Sequence, residues 1–118
     1  MVHPVTKERA RPLIQRALDR GLPLYSADDI LALCDDGKMQ LWAVGESVLV
    51  TEIVDFPQAR AVRAVVAAGR LSDIKTVLPD AEAWAKEKGA KYALAGGRKG
   101  WERALGYRPE AAHLVKEL

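Results

Sequence analysis

The feature that most constrains this chain is a change of hydrophobic period at Gly37. Before it, apolar residues recur at helical spacing; after it, they alternate as in strands. From Thr6 to Arg20, the side chains of Ala10, Leu13, Ile14, Ala17 and Leu18 fall on one helical face, and Gly21 supplies a C-terminal cap. Lys7, Arg9, Arg11, Arg16 and Arg20 take the remainder, which reads as a solvated face, with an acidic partner surface as the alternative. Pro23 then breaks the chain. Ser26-Ala27-Asp28-Asp29 has the form of a capping box, and Ala27, Ile30, Leu31 and Cys34 share one face, so a second helix is expected from Asp28 to about Asp36.

Beyond Gly37 the pattern is that of a meander. Met39–Val44 and Val48–Val54 are joined by Gly45-Glu46-Ser47, and Phe56-Pro57-Gln58 makes the next turn. Ala59–Ala68 is rich enough in alanine to suit a helix, but its place between two turn signals favours a third strand. Ser72 is positioned to cap a third helix. Its apolar face runs through Leu71, Ile74, Val77, Leu78, Ala81, Trp84 and Ala85 to Lys88, and Pro79 should kink or restart it. A short strand, Lys91–Ala95, precedes Gly96-Gly97; a fourth helix over Lys99–Leu105 is closed by Gly106, with a last strand around Ala112–Val115. The segment from Ala59 to Ala95 is long enough for a parallel crossover. The expected fold is therefore one α/β (α+β) domain over residues 1–118, a mixed and mainly antiparallel sheet with helices on both faces.

Composition narrows the function. In 118 residues, 49% hydrophobic and 29% charged, there is enough apolar surface for one core and too much for disorder. Eighteen basic against sixteen acidic side chains leave a net charge of only +2, and the first helix lacks the interleaved aromatics on which single-stranded nucleic acid stacks. One cysteine, Cys34, excludes an internal disulfide and a thiolate-rich zinc site; two histidines, His3 and His113, leave little for an imidazole one, so no metal is expected. No apolar run approaches the roughly 20 residues of a membrane span, and the first residues lack a signal-peptide core. The expectation is a soluble protein of the cytoplasm, or one packaged into a particle from inside a cell.

Among single residues, Cys34 lies on an apolar face and reads as a small buried hydrophobe, His113 as a tail or surface residue, and Trp84 as core. Trp42 shares a strand row with Gln40 and Val44, where it would cover the sheet beneath a helix. Arg98 follows Gly96-Gly97 at a strand-to-helix junction suited to a phosphate or carboxylate, with a salt bridge to Glu102 as the alternative; Trp101 shares its helical face.

The succession of elements resembles the GCN5-related N-acetyltransferase (GNAT) superfamily over most of the chain. The resemblance implies two central parallel strands that splay apart around acetyl-CoA, here Ala59–Ala68 and Lys91–Ala95. Trp101-Glu102-Arg103-Ala104-Leu105-Gly106-Tyr107 is similar to the family's helix ending in glycine and an aromatic. The short length and Gly97-Arg98-Lys99-Gly100-Trp101 resemble small acetyltransferase-like proteins of phages and prophages, several of them virion components.

Family members bind the cofactor's pyrophosphate on a loop with two spaced glycines. Here Ala67–Asp73 offers one glycine, one arginine and then an opposing carboxylate. The resemblance thus assigns cofactor binding to Gly69, Arg70, Ser72 and Arg98. The family's tyrosine acid falls at Glu102, and Ala59–Ala68 holds no acid to act as base, which leaves Glu52 (with Asp55 beside it) and Tyr92 as candidate base and acid. Two functions follow. One is a non-catalytic structural or interaction protein of a phage or phage-like particle, with an unidentified protein partner; an exposed strand edge also allows a homodimer. The other is an acetyl-CoA-dependent N-acetyltransferase acting on an amine.

Overall fold

The computed structural model describes residues 7–21, 23–96, 105–108 and 116–118, and three helices and four strands are formed among them. In chain order they are α1 (Lys7–Leu18), α2 (Ala27–Asp35), β1 (Gln40–Val44), β2 (Ser47–Asp55), β3 (Arg60–Ala68), α3 (Leu71–Glu87) and β4 (Ala90–Ala95). The strands form one sheet in the order β1-β2-β3-β4, antiparallel except for the parallel pair β3 and β4. The expected meander and crossover are both present, and helices cover both faces.

Two apolar layers account for this arrangement. On one face Ala10 and Ile14 of α1 and Ile30 and Leu31 of α2 meet Ala43, Val48, Val50 and Val66 of the sheet. On the other, Ile74, Val77, Leu78 and Ala81 of α3 close over Leu49, with Trp42 and Val44 packed beside them. β2 is flanked by a strand on each edge and covered by a helix layer on each face, so Ser47 to Thr51 are all buried. Trp42 lies under α3, as its strand row suggested, edge-on to Trp84 with ring centroids 5.7 Å apart. Its indole N–H donates to Thr51 Oγ1 at 2.9 Å, and that hydroxyl donates to Gln40 Oε1 at 2.9 Å, so the polar end of the ring is satisfied.

Local chemistry fixes the ends of α2. Ser26 Oγ accepts the Asp29 N–H at 3.1 Å while Asp29 Oδ2 accepts the Ser26 N–H at 2.9 Å, completing the capping box. α3 differs from expectation in two ways. Its N-cap is Arg70, with no side-chain cap, and Ser72 is instead inside the first turn, where its carbonyl accepts from Thr76 Oγ1 at 3.1 Å. The helix also runs through Pro79 without restarting. Pro79 lies on the exposed side, where water satisfies the carbonyl that its missing N–H leaves unpaired.

Leu105 is helical and is followed by Gly106 at φ 76°, which agrees with a helix ending there. The rest of the expected fourth helix, with Arg98 and Trp101, lies outside the described residues, as do His3, His113 and the strand expected around Ala112–Val115.

Candidate binding cleft

The parallel ladder between β3 and β4 stops early. Its last pair is Ala64 with Ala95, whereas β3 continues to Ala68. The antiparallel ladder on the other side of β3 passes from Val66 opposite Val50 to Ala64 opposite Thr51, which leaves Val65 as an extra residue, a β-bulge. Beyond the bulge, Val65 to Ala68 have no partner on the β4 side among the described residues. β4 itself ends at Ala95, so β3 runs past it by four residues.

Two adjoining cavities lie beside this end of β3. One, of about 120 Å³, is lined by Ala17 and Leu18 of α1, Ala64 to Ala67 of β3, and Ala95 and Gly96. The second, of about 160 Å³, continues towards the turn after β3, between Leu13, Arg16 and Ala17 of α1, Arg20 just beyond it, and Ala67, Ala68 and Gly69. Ala17 and Ala67 belong to both. Most of the walls are alanine or glycine, so the main chain of β3 is covered by little more than methyl groups.

On the other face of the sheet, the turn into α3 is closed. Gly69 has φ +115°, and a Cβ there would lie 2.1 Å from Ser47 Oγ and 2.7 Å from Ser47 Cα. The buried Ser47 hydroxyl accepts the Arg70 N–H at 2.9 Å and donates to Asp73 Oδ2 at 2.6 Å. The glycine is therefore required by close packing on the β1–β2 hairpin. Of the groups the resemblance assigned to a pyrophosphate, the Arg70 amide is already committed within the chain. Asp73, in the first turn of α3, adds a carboxylate where a diphosphate would need a positive end.

The other assigned residues are dispersed. Glu52 is on β2, with its side chain only 18% exposed, and accepts from Arg63 Nε of β3 at 2.8 Å. Tyr92 is on β4, 58% exposed, in register with Ala61. Neither lines the two cavities. Asp55 pairs with Arg60 at 2.6 Å, and its side-chain hydrogen bonds to that guanidinium lower its pKa. Cys34 packs against the α1–α2 core, and burial pushes its thiol pKa up, as expected of a small core residue.

The sequence reading missed three things. Tyr107, after the helix-ending glycine, donates to Glu82 Oε2 of α3 at 2.7 Å; burial first, and the bond to Glu82 second, raise its phenol pKa. Ser47 was read as turn chemistry only. Arg16 and Arg20 were assigned to a solvated face; they are exposed, but they stand at the mouth of a cavity. The available signal was their i, i+4 spacing around Ala17, a small residue on the apolar stripe. Among the described residues there is no group of three or more metal-ligating side chains, and no helix is long and apolar enough to cross a membrane.

Comparison with solved structures bears on the fold as a whole. A probable acetyltransferase superposes with a TM-score of 0.70 at 14% identity, over 95% of this chain and 90% of its own. An acetyltransferase of Trypanosoma brucei gives 0.69 at 12% identity, over 100% and 99% of the two chains. An aminoglycoside acetyltransferase from an uncultured soil metagenomic sample, solved with sisomicin, gives 0.68 at 10%, over 100% and 95%. The fold is that of acetyltransferases. A point mutant of a Thermus thermophilus protein gives 0.69 at 19% identity, over 100% of this chain and 97% of its own. No protein-family model and no curated protein sequence matches the chain. At such identities the likeness carries the acetyltransferase architecture and no activity.

Proposed function

We propose that this domain uses the acetyltransferase fold to bind rather than to transfer an acetyl group, as a non-catalytic structural or interaction module. The observation that carries this reading is Ser47. By packing under Gly69, accepting the Arg70 amide and holding Asp73, it engages groups of the turn to which the resemblance assigns a pyrophosphate. The candidate base supports the same reading, because Glu52 is engaged by Arg63 and stands apart from the cavities. The resemblance of Gly97–Trp101 to small phage proteins makes a phage-like particle the setting for such a module, with a protein as its partner.

Calorimetric titration with acetyl-CoA and free CoA tests this. No heat at millimolar ligand, together with an unshifted melting curve, is the expected result. Micromolar binding, about −8 kcal/mol, would return the chain to the N-acetyltransferase reading, in which alignment of acetyl-CoA with an amine does most of the catalysis.

A further inference from the structure

The cationic side chains of α1 divide into two sets. Towards its N-terminal end, Arg9 approaches Glu46 at 4.0 Å and Arg11 bonds Asp28 at 2.8 Å. Near its C-terminal end, the side chains of Arg16 and of Arg20, two residues past the helix, make no hydrogen bond or ion pair among the described residues, although both line the larger cavity. The negative end of the helix dipole favours Arg16 in the last turn without an internal anion. Next to it run the four residues Val65 to Ala68, which have no partner on the β4 side among the described residues and whose neighbouring walls are mostly alanine and glycine. A basic pair thus borders a strand margin unpaired among the described residues and a narrow trough of small side chains.

An extended peptide matches all three features. Four strand residues span about 13 Å of main chain on which a partner strand can form hydrogen bonds. Small side chains of the partner suit a cavity of about 120 Å³. Residues i and i+2 of an extended segment point the same way about 7 Å apart, so two acidic side chains of such a segment can be offered to the two arginines from one side. We propose that the cleft takes an extended acidic segment of a partner protein, which adds along Val65–Ala68 and sets two carboxylates, at i and i+2, on Arg16 and Arg20. This names the partner chemistry of the module and rests on the preceding reading. Asp73 does not oppose it, because that carboxylate is held by Ser47 on the α3 face of the sheet.

The probes are fluorescein-labelled nonapeptides of Ala, Val and Thr carrying Asp at i and i+2, moved stepwise along the peptide, with Lys-for-Asp counterparts, read by fluorescence anisotropy. The best Asp peptide is expected to bind at least about tenfold tighter than its Lys counterpart, a difference of roughly 1.4 kcal/mol. In the double variant Arg16→Glu/Arg20→Glu, with its melting temperature unchanged, the preference should reverse. The amide signals of Val65–Ala68 should move on binding. Equal binding of the two peptide sets, or a preference the double variant retains, would overturn the proposal. Acetyl-CoA titrated alongside separates the two levels: if neither ligand binds, the acidic-segment proposal fails and the non-catalytic reading stands, whereas micromolar acetyl-CoA binding sinks that reading itself.

Discussion

The two sides of the turn after β3 differ in a way that one glycine conceals. On the α3 side, Ser47, Arg70 and Asp73 satisfy one another and Gly69 sits hard against the hairpin. On the α1 side the same stretch of backbone borders a cavity whose two arginines have no anion among the described residues. A glycine and an arginine at a strand-to-helix junction suggest a phosphate loop when read in one dimension. In three dimensions the glycine answers to packing on one side of the sheet, and the positive charge comes from a different helix on the other.

The contrast can be broken from either side, and the closed side should yield the larger effects. Gly69→Ala places a methyl group within 2.1 Å of Ser47 Oγ at a φ that side chains avoid, so urea denaturation should show a loss of about 3 kcal/mol or more. Ser47→Ala leaves the Arg70 amide without its acceptor and Asp73 without its donor, and the same measurement should show a loss of about 1–3 kcal/mol.

Tyr107, on the closed side as well, gives a pH signature. Its folded pKa is raised, so its contribution is complete below the unfolded value of about 10 and is lost as pH climbs beyond it. Alkaline melting curves should therefore fall less steeply for Tyr107→Phe than for the unaltered protein. The open side should hardly respond. Arg16→Gln with Arg20→Gln should stay within about 0.5 kcal/mol of the parent, because no folded-state partner is lost among the described residues. A larger loss would mean that the pair supports α1 and is not held ready for a ligand.

Most of the fold was legible because each layer follows its own period. The helical stripe of α1, the alternating rows of β1 and β2, and the stripe of α3 each predict the face they bury. β3 was legible only through its neighbours, since its alanines carry little preference and the turns on either side decided for strand. The start of α3 differs from the expected cap at Ser72, because a hydroxyl in sequence looks like a cap, while the chain enters the helix two residues sooner, at Arg70. The site was far less legible. Gly69 stood out, but its cause, Ser47, is in the first hairpin and reaches it only across the sheet. Arg16 and Arg20 have no special neighbours in sequence; their meaning depends on α1 lying across the end of β3.

The bulge at Val65 acts as a phase shift. Ala64 faces α3, Val66 faces α1, and the alternation then continues with Ala67 towards α3 and Ala68 towards α1. In an unbulged strand of the same length, every residue after Val65 would turn to the opposite layer, and Ala67 would leave the α3 core. Which side of the molecule can receive a guest is thus decided by counting, and a single residue gained or lost before Gly69 would move the opening from one helix layer to the other.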